Sequence, residues 1–327
     1  MISIILPTYN SIEFLEERVQ TILSQTIIDW ECLVIDGESS DGTWEYLNNI
    51  ALTDTRFKMF QYPPKGVYNA WNIGVEKAKG DYIYFATSDD TMSSNCLEEF
   101  LKAFDLAPSC NIAHSCLKII DKNSLLVQKL NWRSFPAQQY FGALTDKYHI
   151  RKAPLSGILY ATHQTIIHSF TQVLIKKSVF DTCGLFLENQ GPAADLEWGM
   201  RVGLTECIVH IPLELATWRV HSNQLTTQVI NFKSKYKLLE LMGLAIENSK
   251  CAKEIKHHKN LILGFGLNQL FLNKSFIEKV VKSPFFDLAK LKLLNKDFTK
   301  SLVSRKKYQL FLQKAINLVD DKLIELI

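Results

Sequence analysis

Residues 82–90 read Tyr82-Ile83-Tyr84-Phe85-Ala86-Thr87-Ser88-Asp89-Asp90. An apolar, aromatic run of strand length passes directly into two adjacent carboxylates. The same change occurs twice upstream. Ile2 to Leu6 is apolar and β-branched and is expected to end at Pro7, which cannot donate in a sheet interior. Leu33-Val34-Ile35 ends at Asp36. Helical patterns separate these runs. Asn10 with Glu13 makes a capping-box-like start, and Leu15, Val19, Ile22 and Leu23 follow at helical spacing. A polar turn over 37–42 precedes a short helix from Thr43 through Leu47 and Ile50. Met59 to Tyr62 reads as a further strand broken by Pro63-Pro64, and a helix over 67–79 ends at Gly80. Strand–helix alternation with short loops implies right-handed parallel βαβ units. In such sheets ligands bind beyond the C-terminal strand ends, which brings Pro7–Asn10, Asp36 and Ser88–Asp90 to one crevice.

Further along, the pattern is mixed. Ile112 to Ile120 and Leu125 to Leu130 flank Asp121-Lys122-Asn123-Ser124, a predicted hairpin. A helix near 194–204 and a strand near 207–211 follow. After about 230 the periodicity is helical, over Tyr236–Ile246, Leu261–Leu272, Phe286–Leu294 and Leu310–Leu326. The predicted organisation is a unit over 1–228, split at about 105 into two halves, and a basic helical region over 229–327.

The 327 residues are 47% hydrophobic and 22% charged, which excludes a disulfide mini-protein, a collagen and a mostly disordered chain. Seven scattered Cys without a C-x-x-C pair read as reduced thiols of a cytoplasmic protein and argue against a structural zinc. The longest apolar run, Leu261 to Leu272, is broken by Asn268 and Gln269 and is too short to span a bilayer. No signal peptide is expected, because no basic region precedes Glu13. Charge is uneven. Residues 231–327 hold 19 Lys and Arg against 9 Asp and Glu, whereas the first 230 hold 18 against 25.

The adjacent carboxylates need a physical reason. Asp89 and Asp90 repel each other unless a cation stands beside them, and hard oxygen ligands suit Mg²⁺ or Mn²⁺ with phosphate oxygens. The plainer alternative is a turn and N-cap for a helix over 94–105. Asp36 alone could equally be a turn residue. No G-x-G-x-x-G follows the first strand, and no Walker A, H-E-x-x-H or G-x-S-x-G sequence is present.

Four ordered segments resemble family 2 glycosyltransferases of the bacterial polysaccharide type: Ile4–Asn10, Val34–Thr43, Lys65-Gly66-Val67-Tyr68-Asn69-Ala70-Trp71-Asn72-Ile73-Gly74, and Gly80–Ile83 through Ser88-Asp89-Asp90. The resemblance is strong over about the first 100 residues and weaker over 160–225. It implies an α/β protein of GT-A type, with a mostly parallel nucleotide-binding sheet flanked by helices and a C-terminal helical region. It further implies metal-dependent, inverting transfer from a nucleotide-activated sugar. Pro7, Thr8 and Tyr9 match the loop that lines the nucleotide, and Asp36 the acid that reads the base. Lys65, Asn72, Ser88 and Asp90 fall in donor-binding segments, and Asp89 matches the metal ligand. Thr87 stands where the family often carries the first acid of Asp-x-Asp, and Pro64 and Asn69 stand where relatives often carry Asp.

Ala194-Asp195-Leu196-Glu197 resembles the family's acidic motif at a helix start, which makes Asp195 the candidate general base and Glu197 the alternate. Residues two apart on a helix do not share a face, so one of them is expected to point into the site. Trp218-Arg219-Val220-His221 resembles an Arg-x-His element that brings His221 to the diphosphate or metal. His163 and His168 resemble an acceptor-side segment. The expected partners are a nucleotide-sugar, with UDP as the usual nucleotide, and a glycan or lipid-linked acceptor, in cell-surface polysaccharide synthesis. Two other readings remain open at this level: a nucleotidyltransferase and a non-catalytic sugar-nucleotide-binding scaffold. The basic surface of 231–327 reads either as a peripheral contact with anionic membrane or as helices packed on the catalytic unit or on a second copy. Nucleic acid is not expected, since no recognition motif accompanies the charge.

Overall fold

The computed structural model describes residues 1–163, 165–188, 190, 194–221, 232–257, 259 and 323–327. The first third alternates as the pattern requires: β1 (Ile2–Thr8), α1 (Ile12–Leu23), β2 (Trp30–Asp36), α2 (Thr43–Thr53), β3 (Phe57–Gln61), α3 (Val67–Lys77), β4 (Tyr82–Phe85) and α4 (Cys96–Leu106). The middle is β5 (Ile112–Asp121), α5 (Pro136–Phe141), β6 (His149–Arg151), α6 (Leu155–His163), β7 (Val173–Lys176), α7 (Ser178–Cys183), α8 (Ala194–Gly203) and β8 (Ile208–Val220). After it come α9 (Phe232–Asn248), α10 (Lys253–His257) and β9 (Ile324–Leu326).

All nine of these strands join one sheet in the order β3-β2-β1-β4-β7-β5-β8-β6-β9. The β3-β2-β1-β4 half is parallel. β7 runs antiparallel to both β4 and β5, while β5 and β8 are parallel. Two reversals restore the direction, so β1, β2, β4, β5 and β8 all end at the same rim. The residues just before β7 arrive at that rim too.

Every residue of β1 and β2 is buried because helices cover both faces, and this explains their unbroken apolar runs. Ile2, Ile4 and Leu6 pack with Leu15, Val19 and Ile22 of α1 and Phe100 of α4. Ile5, Leu33 and Ile35 face Trp71 and Val75 of α3, Phe180 of α7 and Trp198 of α8. Met242, Ala245 and Ile246 of α9 share a third cluster with Leu155, Leu159 and Met200.

Some expectations change. β1 does not stop at Pro7; Pro7 and Thr8 pair in register with Ile35 and Asp36. The Ile5 carbonyl accepts from Ala86 on the β4 side and the Thr8 carbonyl from Gly37 on the β2 side. Alternation turns the Pro7 nitrogen toward β4, beyond its last residue, so no ladder bond is lost. The predicted hairpin is short: Ile120 bridges Leu126, the Asp121 amide donates to the Leu125 carbonyl and the Val127 amide to the Ile119 carbonyl, on the edge of β5 that β7, paired only with Ile112–His114, leaves open. The strand near 207–211 extends to Val220 through a register irregularity opposite Cys116, where Pro212 is accommodated. The helix expected over Tyr236–Ile246 lies within α9. Those expected over 261–272 and 286–294 lie outside the described residues, as does 310–322. Ile324–Leu326 is a strand on the edge of β6, not a helix end. None of the seven cysteines is in a disulfide. Among the described residues no helix is long and apolar enough to cross a membrane.

Candidate active site

The shared rim opens into one cavity of about 770 Å³, within the range of small-molecule sites. Pro7, Thr8, Tyr9, Asp36, Lys65, Ser88, Asp89, Asp90, His168, Asp195 and His221 all line it. Asp36 and Asp89, the two acids on which the sequence reading turns, therefore face the same hollow.

Asp36 is fully buried at the end of β2. Its Oδ1 accepts from the Thr8 hydroxyl at 2.8 Å and the Ser39 hydroxyl at 2.6 Å. Its Oδ2 accepts from the Ser39 amide at 2.9 Å and from the Gln61 side chain at 3.2 Å. These bonds fold the 37–41 turn back over the strand ends. Gly37 lets the turn sit close, since a Cβ there would stand 3.1 Å from Tyr9 and 3.3 Å from Pro64, tighter than ordinary contact.

The two acids after β4 have separate environments. Asp90 points inward and is almost wholly buried. It accepts from Thr87 at 2.7 Å, Ser169 at 2.6 Å and the Arg219 amide at 2.7 Å. Burial, together with the neighbouring Asp89 charge, raises its pKa to about 7. Asp89 faces the cavity, and its Oδ2 stands 3.1 Å from Nε2 of His221, whose ring lies 5.0 Å from that of Phe14. Among the described residues no group of three or more His, Cys, Asp or Glu is arranged to hold a metal alone. One carboxylate and one imidazole nevertheless fit a divalent ion that completes its shell with phosphate oxygens and water. Imidazole favours Mn²⁺ over Mg²⁺ in that donor set.

Asp195 lies in the first turn of α8, its Oδ1 accepting from the Leu196 amide at 2.7 Å. The Tyr68 hydroxyl donates to the same carboxylate. Burial outweighs both bonds and raises the pKa of Asp195 to about 6. A carboxylate so placed accepts a proton near neutral pH.

Three residues expected at the site stand elsewhere. Glu197 is fully buried against Arg201, with Oε1 to Nε and Oε2 to Nη2 both at 2.9 Å, so it points into the core and Asp195 into the cleft. The Asn72 side chain donates to the Phe186 carbonyl at 3.0 Å and to Glu188 at 2.9 Å, and accepts from the Phe186 amide at 3.0 Å. It ties α3 to the segment before α8. His163 packs edge-on against Tyr140 outside the cleft, ring centroids 5.1 Å apart. His168 does line the cleft, stacked on Phe135 at 4.2 Å, and burial holds it near pKa 4, neutral at physiological pH.

Tyr68 and Ser169 are not among the expected site residues, and Arg219 is expected only as the first member of the Arg-x-His element, with no role of its own. Tyr68 had a readable signal, because it stands three residues before Trp71 on one face of a helix that was expected. Ser169 has none, and the Arg-x-His element marks Arg219 without showing its contacts, since both residues act on Asp90, 79 and 129 positions away.

Comparison with known proteins gives the family and the fold. The profile of glycosyl transferase family 2 matches residues 3–182. An uncharacterized glycosyltransferase of Haemophilus influenzae is 42% identical over 102 residues, 31% of this chain and 41% of that protein. The UDP-Glc:alpha-D-GlcNAc-diphosphoundecaprenol beta-1,3-glucosyltransferase WfgD of Escherichia coli is 30% identical over 152 residues, 44% of this chain and 58% of that one. The chain thus spans between a sixth and three fifths of the length of the curated relatives it matches. Among solved structures, S. aureus TarS 1–349 in complex with UDP superposes with TM-score 0.63 at 17% identity, covering 94% of this chain and 82% of that one. Mannosyltransferase PcManGT from Pyrobaculum calidifontis, in complex with GDP-Man and Mn²⁺, gives 0.56 at 16% identity, covering 96% and 86%. At these identities the structural likeness establishes the GT-A fold alone.

Proposed function

Because the chain belongs to glycosyl transferase family 2, we propose that its cleft binds a nucleotide-sugar, a UDP-sugar in the first instance, and transfers the sugar with inversion to a glycan or lipid-linked acceptor. Such a reaction fits cell-surface polysaccharide synthesis at the cytoplasmic face of a membrane. The observation that carries the reading is convergence. A buried acid at the end of β2, a carboxylate–imidazole pair from β4 and β8, and a buried carboxylate with raised pKa on α8 share one cavity.

Each group takes a role suited to its surroundings. Tyr9 and Lys65 line the nucleotide side with Pro7, Thr8 and Ser88. Asp36 reads a ring N–H of the base; the Gln61 contact, the longest of its four at 3.2 Å, is the one that the base replaces. Asp89 and His221 hold the divalent ion, Mn²⁺ by preference, while Asp90 braces the loop beneath them. When bound, that ion supplies positive charge beside the departing diphosphate. His168, a neutral ring, lies on the acceptor side.

In the transfer, an acceptor hydroxyl attacks the anomeric carbon as its proton passes to Asp195. The new C–O bond forms while the bond from that carbon to the phosphate oxygen breaks, and the nucleoside diphosphate leaves. One positioned carboxylate suffices, and no covalent intermediate on the protein is needed. The test is labelled-sugar transfer from a panel of UDP-sugars to diphosphate-linked lipid acceptors, with Mn²⁺ or with EDTA. Mn²⁺-dependent product and its loss in Asp89→Ala are expected. Binding of nucleotide-sugars without any turnover across the panel would point to a scaffold. Pyrophosphate release from a nucleoside triphosphate and a sugar phosphate would point to a nucleotidyltransferase.

A further inference from the structure

Arg219 is fully buried yet does not line the cleft. Its Nε donates to the carbonyl of Asp89 at 2.6 Å. Its Nη1 donates to the Asp121 carbonyl at 3.1 Å and to Ser124 Oγ at 2.9 Å, and its Nη2 to Glu17 Oε2 at 2.7 Å. The Ser124 hydroxyl in turn stands 2.8 Å from both oxygens of Glu17. The backbone N–H of Arg219 meets Asp90 Oδ1 at 2.7 Å. Helix α1, the turn after β5 and the end of β8 therefore converge on the main chain of the residue whose side chain enters the cleft.

A guanidinium is a planar fork whose donors cannot turn independently. Nε points at the Asp89 carbonyl only while Glu17 and the 121–124 turn hold the other two nitrogens. Glu17 also supplies the counter-charge that a buried cation needs. Ser124 is held at φ 63°, which aims its hydroxyl at that pair.

We propose that Glu17 and Ser124, both outside the cleft, orient Asp89 through Arg219, making Arg219 a positioning residue for metal-bound donor diphosphate. This rests on the reading of Asp89 given above. Outer-shell partners of this kind alter metal affinity without touching the metal.

The test is calorimetric titration of the full chain with UDP, in Mn²⁺ and in EDTA. Because Arg219 is buried under several acceptors and its loss endangers folding, Glu17→Gln and Ser124→Ala are the informative variants. Glu16→Gln, its exposed neighbour on α1, is the control. Glu17→Gln is expected to weaken UDP binding about tenfold in Mn²⁺. Binding in EDTA stays as in the wild type, Ser124→Ala loses less, and the control loses nothing. Asp89→Ala separates the two levels of the argument. If it binds UDP in Mn²⁺ as the wild type does, the reading of Asp89 fails. If it weakens binding and Glu17→Gln does not, or if Glu17→Gln weakens binding equally in EDTA, the coupling through Arg219 is overturned on its own.

Discussion

Asp195 and Glu197 are two residues apart on one helix, yet the fold gives them opposite work. Asp195 meets the cleft with its pKa raised to about 6 by burial, and Glu197 closes a bidentate pair with Arg201 in the core. A base must be deprotonated to accept a proton, so transfer should fall as pH drops through about 6 and level off above it, seen in a pH–rate profile at saturating donor. Asp195→Asn should lower turnover by roughly 10²- to 10⁴-fold while UDP binding persists. It should melt no lower than the wild type at neutral pH, because a carboxylate whose pKa is raised by folding opposes folding once charged. Glu197→Ala should behave in the opposite way. It strands Arg201 in the core and should cost about 3–5 kcal/mol in urea unfolding, as measured for broken buried pairs.

At the scale of the element, α3 shows how the first half of the chain was readable and why some of its glycines are not interchangeable. Its apolar face was evident from Trp71 and Val75, and the helix forms close to where spacing places it. What spacing does not show is how near α3 lies to β1. A Cβ on Gly74 would overlap the side chain of Ile5, so Gly74→Ala should destabilise by about 1–3 kcal/mol, measured by denaturant titration. The displacement would also reach the cleft, because α3 carries Tyr68 and β1 carries Thr8. The extent of the hairpin after β5 likewise depends on a tertiary neighbour. Asp121 makes a tight turn, its Oδ1 accepting from Asn123 and Leu125, and the returning segment pairs only where β7, which takes Ile112–His114, leaves the edge of β5 open.

Across the whole molecule, three buried histidines form a ladder on adjacent strands: His114 on β5, His210 on β8 and His149 on β6, each in register with the next. Hydrogen bonding assigns their tautomers. Arg151 Nε donates to His149 Nε2 at 3.1 Å, leaving Nδ1–H for the Lys147 carbonyl at 3.0 Å. His210 donates from Nε2 to the Thr145 carbonyl at 3.0 Å and accepts at Nδ1 from His114 at 3.2 Å. All three are therefore neutral, and burial beside the Arg151 cation holds their pKa values far below the usual range, His149 near 3. With His163 and His168 they make five histidines that bind a proton less readily in the fold than in the unfolded chain, where they protonate below about pH 6.5. Stability is then present above 6.5 and lost as pH falls. Asp90, Asp195 and Glu197, raised by burial, act in the opposite direction and offset part of this loss. A net loss of roughly 3 kcal/mol per pH unit should appear between about pH 6 and 4 as a falling melting temperature, and His149→Gln should flatten it.

Local pattern along the chain is enough to define the parallel half of the sheet and the rim where chemistry gathers. Strands buried on both faces must read as unbroken apolar runs, and strands of one direction must end on one side, so Asp36 and Asp89 were placed together by local pattern alone. Only the tertiary structure decided which acid of α8 meets the cleft, that β7 reverses and lets β8 deliver His221 to the same rim, and that Arg219 braces Asp89. Those outcomes depend on strand register and on contacts between residues more than a hundred positions apart. Spacing along a chain records the period of a helix or a strand, not the neighbour that each will find.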